Sequence, residues 1–221
     1  MNTWLAVIVG IVFCASIIAL ICIVIFSDSG LRSNDDQVEY TYPTEEDEIK
    51  EFGDYGEEYV QDAFENALLG YDYNIINNYK INVNGRRIEI DLIILTKGGL
   101  FIIETKSYKG RLVSLDDGRF ELIKKDYQED KIIKYNPTEQ NDRHIRILKS
   151  VMGKNPPNMI SMIVFPFADI TEIEDDRWYE LDDAIDFVLY KTKNGKYSNE
   201  FVDETYNQLQ TIGQKYIDEL E

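Results

Sequence analysis

The order of apolar and polar residues along the chain predicts a mixed α/β domain. Apolar residues at helical spacing after residue 45 predict a first helix, and Gly70 is suited to end it. The predicted helices cover residues 45–69, 138–152 and 199–220, and the predicted strands cover residues 73–79, 88–96, 99–106, 110–115, 119–123 and 159–165. Residues 181–190 carry both helical and strand cues. This order of elements indicates helices layered around one sheet.

The strands over residues 88–96 and 99–106 flank Lys97-Gly98, which predicts a hairpin with a two-residue turn. Both faces of the first strand are mainly apolar, as in a central strand covered on both sides. Strict alternation places residues 88, 90, 92 and 94 on one face and residues 89, 91, 93 and 95 on the other. The same register places Asp91 directly across from Glu104, with Cβ atoms roughly 5 Å apart.

Two acids in this position repel each other and lose hydration, so a cation is expected between them. Glu104 and Lys106 lie on the same face of their strand, and the register also places Glu89 opposite Lys106. Two carboxylates suit Mg²⁺, which prefers oxygen ligands and keeps several waters. The lysine is suited to orient or deprotonate a water, or to stabilise charge on a phosphate. These residue types predict metal-assisted phosphodiester hydrolysis. The alternative is a pair of solvent-facing acids with a salt-bridged lysine.

The net charge of −18 argues at first against a nucleic-acid partner. The charge is distributed unevenly, however, because residues 80–149 carry 15 Lys and Arg against 11 Asp and Glu. The basic residues expected to track a phosphate backbone are Arg86, Arg87, Lys109 and Arg111. The alternative is that they serve solubility alone.

Residues 4–26 form a run of 23 residues without a charge, which is long enough to cross a bilayer as a helix. The run has no basic leader before it and no small-residue cleavage site after it, which favours an uncleaved anchor over a signal peptide. The predicted organisation is an anchor over residues 1–27, an acidic tether over residues 28–44 and a domain over residues 45–221. Arg32 favours a cytoplasmic body for this single-pass membrane protein. Both cysteines lie in the anchor, which excludes a disulfide in the body.

The acid–acid–lysine pattern resembles the PD-(D/E)XK nuclease core, and the wider pattern resembles the nuclease-related domain (NERD) family. The resemblance spans residues 53–150, with residues 163–166 as a later segment. It rests on Gly56-Glu57, residues 89–91, residues 99–106, residues 108–110 and the Asn136-Pro137-x-x-Gln140-Asn141 block.

The resemblance implies a restriction-endonuclease-like fold, a mixed sheet flanked by helices, with a nuclease-type Mg²⁺ site that also accepts Mn²⁺. By position, Asp91, Glu104 and Glu57 are the implied metal ligands and Lys106 is the implied catalytic lysine. Gln140 matches a glutamine that related exonucleases place on the helix after the core strands. Those relatives often have a tyrosine four positions later, where this chain has His144, which on residue type alone is expected to be a surface or packing residue. Glu57 also fits a solvated helix face, and Gln140 and Asn141 also fit a role in capping their helix.

The sequence therefore predicts a membrane-anchored nuclease that acts on nucleic acid, most simply DNA, with a bilayer contact through residues 4–26. The rival interpretation is a membrane-tethered binding or scaffold module that keeps the fold without hydrolysis. The intact acid–acid–lysine set favours the enzyme.

Overall fold

The computed structural model describes residues 45–124, 131–153 and 156–218. The predicted anchor over residues 1–27 and the tether over residues 28–44 lie outside these ranges. Within them, no helix combines the length and the apolar character that crossing a membrane requires.

The described chain begins with a helix, continues through six strands, and then has one helix, three strands and two helices. The helices are α1 Glu45–Ala67, α2 Pro137–Met152, α3 Leu181–Lys193 and α4 Asn199–Asp218. The strands are β1 Tyr73–Val83, β2 Arg86–Thr96, β3 Gly99–Thr105, β4 Gly110–Ser114, β5 Phe120–Ile123, β6 Lys131–Lys134, β7 Met159–Phe165, β8 Ala168–Glu172 and β9 Trp178–Glu180. The mixed α/β prediction is confirmed, and residues 181–190, which the sequence left open, are helical.

The main sheet has the order β1-β2-β3-β7-β9, with antiparallel pairing among β1, β2 and β3 and parallel pairing from β3 to β7 and from β7 to β9. Thr96 pairs with Gly99 across the Lys97-Gly98 turn, so the predicted hairpin register is confirmed. Helices α2 and α4 cover one face of this sheet, and α1 and α3 cover the other. The central strands are buried on both faces, which explains why β3 is apolar along most of its length.

The prediction of a single sheet is wrong, because the described residues form a second sheet with the order β6-β5-β4-β8. A third apolar cluster joins the two sheets, with Phe165 of β7 and Trp178 of β9 packing against Phe120 of β5. The hairpin predicted over residues 110–123 belongs to this second sheet. Strands β6, β8 and β9 were not predicted, because they have only three to five residues each.

Strand β2 does not alternate as predicted, and the interruption falls at Asp91. Ile88 and Ile90 pack in the same core as Ile93 and Leu95, whereas Leu92 and Ile94 pack in the opposite core. The pairing of β1 with β2 is uniform on either side of this point, and Asn78, the residue of β1 in register with Asp91, has a φ of 47°. The left-handed backbone of Asn78 and the change of face between Ile90 and Ile93 mark a local irregularity in the two strands. Asp91 lies at this irregularity and therefore departs from the regular alternation of the strand.

Candidate functional site at the end of the main sheet

The site begins where the hairpin of β2 and β3 stops pairing. The ladder runs from Thr96 and Gly99 to Leu92 and Ile103, and Asp91 and Glu104 are the next residues on the two strands. Asp91 Oδ2 accepts a hydrogen bond of 2.8 Å from the backbone N–H of Thr105. The acid of β2 therefore lies beside the strand that carries Glu104, close to where the register predicted it.

Glu104 is the most buried acid of the site, with only 2% of its surface exposed. Its Oε1 accepts hydrogen bonds from Lys106 Nζ at 2.6 Å and from Gln140 Nε2 at 2.7 Å. Its Oε2 is buried without a hydrogen-bond partner. A buried carboxylate oxygen without a partner carries a desolvation cost, which a bound cation would offset.

His144 packs beside this cluster, so of the two expected roles the structure supports packing and not a surface position. Its ring is buried, and Nδ1 lies 3.8 Å from Glu104 Oε2, too far for a hydrogen bond. Burial, and next the positive charge of Arg143, lower the pKa of His144 to about 4, so the ring is neutral near pH 7. The sequence signal was its spacing, since His144 lies one helical turn after Gln140.

The titration behaviour of the cluster reflects crowded carboxylates around one amine. Burial, and next the charge of Glu104, raise the pKa of Asp91 to about 8. Burial and the charge of Asp54 raise the pKa of Glu57. Burial acts to lower the pKa of Lys106, but the Glu104 carboxylate outweighs it, and the pKa of the lysine rises. Lys106 therefore keeps its proton at neutral pH.

Glu57 on α1 stands between two pockets that meet at this site. The first, called here the acidic pocket, has a volume of about 860 Å³ and reaches Asp91 past Asp54, Glu58 and Asp62 of α1. The second, called here the lysine cleft, has a volume of about 680 Å³ and is lined by Lys106, Lys109, Lys124 and Lys134 with Phe52 and Tyr108. Glu57 and Thr105 line both pockets, so the site lies on the boundary between an acidic and a basic surface.

The structure separates the basic residues that the sequence grouped together. Lys109 lies in the lysine cleft, with Nζ 4.1 Å from the centre of the Phe52 ring. Arg111 is ion-paired with Glu172 on the second sheet. Arg86 and Arg87 lie at the far end of β2 and line a different groove.

The expected pairing of Glu89 with Lys106 is wrong. Glu89 instead forms an exposed ion pair of 3.1 Å with Lys80 on β1, its direct neighbour in the β1–β2 register. Lys106 bonds the acid two residues before it on its own strand, because Glu104 lies on the same face. The lysine is thereby tied to the acid that the resemblance assigns to the metal.

Gln140 and Asn141 do not cap their helix, because Asn136 does. Asn136 Oδ1 accepts a hydrogen bond of 2.9 Å from the N–H of Thr138, and Pro137 follows at the helix start. Gln140 contacts Glu104 instead. Asn141 is fully buried, and its Nδ2 donates to the carbonyls of Ile102 and Met162, which lie on neighbouring strands of the main sheet. Asn141 thus fixes α2, and with it Gln140 and His144, against the site.

Replacing Asn141 with alanine is expected to lower the free energy of unfolding by about 1–2 kcal/mol, because buried carbonyls on β3 and β7 lose a donor. Chemical denaturation monitored by circular dichroism measures this change. The exposed neighbour Glu139 provides the control, and its alanine variant is expected to lie within about 0.5 kcal/mol of wild type. Equal stabilities of the two variants would contradict the assigned role.

The donor set of the site is compatible with a hard divalent cation. Glu104 Oε2 is buried without a partner, and the Asp91 carboxyl is desolvated beside it. Two carboxylates with water completing the shell suit Mg²⁺. In the described part of the chain, no three His, Cys, Asp or Glu side chains are grouped closely enough to hold a metal by themselves. A cation at this site would therefore depend chiefly on Asp91 and Glu104, since Glu57 does not join them in a three-ligand group.

This mixed α/β domain places two acids and a lysine where β2 and β3 stop pairing. These are features of the nuclease-related class of proteins. A family model described as NERD, nuclease-related domain, matches residues 52–166, and the chain belongs to this family. The resemblance read from the sequence is confirmed at the level of the family. Neither the comparison with curated proteins nor the comparison with solved structures gave a match.

Proposed function

We propose that this domain is a Mg²⁺-dependent nuclease of the PD-(D/E)XK type, with a restriction-endonuclease-like fold, that hydrolyses phosphodiester bonds in DNA or another nucleic acid. The observation that carries the proposal is the Glu104 carboxylate. One of its oxygens is shared by Lys106 and Gln140, the other is buried and has no hydrogen-bond partner among the described residues, and burial together with the Glu104 charge raises the pKa of the Asp91 carboxyl. Membership of a nuclease-related family supports the same activity.

In this proposal Asp91 and Glu104 would hold the cation, and Glu57 would be the third acid of the site. Bound Mg²⁺ lowers the pKa of a coordinated water and polarises a phosphoryl oxygen. Gln140 fixes the rotamer of Glu104 by donating to Oε1, which leaves Oε2 directed toward the cation. The acidic pocket on α1 favours cations near the site, and the lysine cleft favours the phosphate backbone on the other side.

The protonation state of Lys106 bears on which of three roles it has: orienting a water, deprotonating a water, or stabilising charge on a phosphate. In the metal-free site the effect of burial is outweighed by the Glu104 carboxylate, which raises the pKa of Lys106, so the amine is an ammonium at neutral pH, which favours charge stabilisation over a general-base role. It donates one hydrogen bond to Glu104 Oε1, and an ammonium has further donors for a substrate oxygen. Lys106 is therefore proposed to stabilise negative charge that develops on the phosphate.

The test is the Lys106→Gln variant, which keeps a hydrogen-bond donor near Glu104 but removes the charge. Cleavage of linear, circular or single-stranded DNA in Mg²⁺ is expected to fall by at least about 10²-fold, because charge stabilisation in the transition state is lost. Mg²⁺ affinity, measured by titration calorimetry, is expected to stay equal or become tighter, since a neighbouring cation is gone. A Lys109→Gln variant is the control in the same cleft, and it is expected to weaken DNA binding without abolishing cleavage.

Full Mg²⁺-dependent cleavage by the Lys106→Gln variant would exclude the assigned role of the lysine. A wild-type protein without cleavage and without Mg²⁺ binding that depends on Asp91 and Glu104 would favour the scaffold interpretation. The proposal also places the domain on the cytoplasmic side of a membrane, anchored by residues 4–26. Membrane fractionation, with protease access to residues 28–44 in intact cells, tests that placement.

A further inference from the structure

A groove lined by four arginines lies outside the acid–lysine cluster and plays no part in the chemistry described above. It has a volume of about 900 Å³ and runs between the end of the β1–β2 hairpin and the exposed side of α2. The hairpin contributes Arg86 and Arg87, and α2 contributes Arg143 and Arg146. The rest of the lining is apolar or uncharged.

All four arginines are exposed, and none of them has an acid partner among the described residues within ion-pair distance. Other basic residues nearby are neutralised, since Lys80 pairs with Glu89 and Arg177 pairs with Asp142 of α2. The chain has 41 acids against 23 lysines and arginines, so solubility does not require an unpaired basic patch. Four like charges in one groove repel each other unless an anion binds there.

The groove borders the proposed site along the same two elements. On α2, Arg143 and Arg146 follow Gln140 by three and six residues, which is roughly 5 and 9 Å along the helix axis. On β2, Arg87 precedes Asp91 by four residues, which is roughly 13 Å along the strand. The charge of Arg143 also reaches His144 and lowers its pKa.

We infer that the arginine groove binds the phosphate backbone of the nucleic acid about two to four nucleotides from the bond that is cut, given a rise of about 3.4 Å per nucleotide along the axis of a duplex. The inference rests on the proposed function for the identity of the anion. Guanidinium groups match phosphate oxygens in pairs, and a groove built on β2 and α2, the elements that also carry Asp91 and Gln140, suits a strand that crosses the site. Such a contact holds the strand in register while the lysine cleft holds it on the other side of Glu57.

The test is DNA binding by the full chain in nanodiscs of phosphatidylcholine, with EDTA present so that no cleavage occurs. The variants are Arg143→Gln with Arg146→Gln, and separately Arg86→Gln with Arg87→Gln. Each pair is expected to weaken binding of a fluorescent DNA by about tenfold and to reduce the slope of log K against log salt by about two. The matched control is Lys193→Gln with Lys196→Gln, which removes the same charge from exposed positions near the Lys97-Gly98 end of the hairpin. The control is expected to bind as wild type.

The two arginine pairs lie on different elements, Arg86 and Arg87 on β2 and Arg143 and Arg146 on α2, so a local folding defect in one variant would not be shared by the other. Replacement of Arg143 and Arg146 by lysine is expected to preserve the salt slope, since the charge remains. Wild-type affinity and slope in both glutamine pairs would overturn the inference. A second result would also overturn the inference. If phosphatidylserine in the nanodiscs abolishes the difference in DNA affinity between wild type and the glutamine variants, lipid headgroups occupy the groove.

The binding measurement separates this inference from the proposed nuclease activity. A protein that binds DNA through the arginines but never cleaves it would overturn the activity and leave the groove assigned. A protein that cleaves in Mg²⁺, but whose arginine variants bind unchanged, would overturn the groove alone.

Discussion

The Asp91→Asn variant is expected to lose Mg²⁺-dependent cleavage by about 10³-fold or more and, without metal, to be more stable than wild type above neutral pH. Asparagine keeps an oxygen that accepts the Thr105 N–H bond, which measures 2.8 Å in the wild-type chain. It removes a carboxyl that burial and Glu104 make costly to ionise. An amide is a poor ligand for Mg²⁺ compared with a carboxylate, so the change should remove metal binding while preserving the fold.

The pH dependence of stability follows from the raised pKa of Asp91. The pKa is about 8 in the folded chain against 3.8 for an ordinary aspartate, so between these values the folded state holds more protons than the unfolded state. The free energy of unfolding therefore decreases as pH rises from about 4 to about 8. Wild type and Asp91→Asn are expected to be similar near pH 4, and the variant is expected to be more stable by more than about 1 kcal/mol at pH 8.

Thermal unfolding in EDTA across this range measures the difference, which corresponds to about 2–4 °C per kcal/mol for a domain of this size. Adding Mg²⁺ at pH 8 should reverse the order, because the cation stabilises only the wild-type site. The raised pKa of Glu57 should leave a weaker slope of the same sign in the variant. Parallel stability curves for the two proteins would show that Asp91 is not desolvated, and an unchanged cleavage rate would exclude Asp91 from the site.

The hairpin of β2 and β3 was predictable because its information is local. The Lys97-Gly98 turn fixes the register, and the register brings Asp91 to the strand that carries Glu104. The face that Asp91 occupies was not predictable in the same way. Its reorientation is associated with a left-handed residue, Asn78, on the neighbouring strand, and nothing within residues 88–96 signals it.

Two strands of the second sheet, β6 and β8, escaped the sequence for a different reason. They have four and five residues, so neither contains enough positions to show a period, and unlike the equally short β4 and β5 they do not flank the Asp116-Asp117-Gly118 turn. Strand β8 exists because it pairs in parallel with β4, a segment distant in the chain. Tertiary pairing of this kind is invisible to any local pattern.

The sequence predicted which residues of α2 could belong to the site, but it did not predict which of them contact Glu104. The resemblance placed Gln140 on this helix, but the packing of Asn141 under β3 and β7 decides which face turns toward Glu104. The orientation of α2 about its own axis also brings His144 close to Glu104 and places Arg143 beside the β1–β2 hairpin. Helical spacing supplied the candidates, and only the docked helix selected among them.

The Gly56→Ala variant is expected to destabilise the domain by about 3 kcal/mol, although alanine favours a helix more than glycine does. A Cβ atom at position 56 would lie 1.8 Å from Ser107 Oγ and 2.9 Å from Ser107 Cβ. Rotation of the serine hydroxyl removes the first overlap but not the second. Helix α1 can therefore pack this closely against Ser107, the residue after Lys106, because residue 56 has no side chain. This close packing gives a physical reason for the glycine in the Gly56-Glu57 motif.

The double variant Gly56→Ala with Ser107→Gly tests this explanation, because it removes the serine atoms that the new methyl group would meet. It is expected to recover most of the stability lost by Gly56→Ala, as measured by denaturant unfolding. Ser107→Gly alone is the control, since the one hydrogen bond of its side chain to the described residues is a long one of 3.4 Å to the Gly53 carbonyl. A double variant as unstable as the sum of the single changes would show that the close approach of α1 does not depend on this pair.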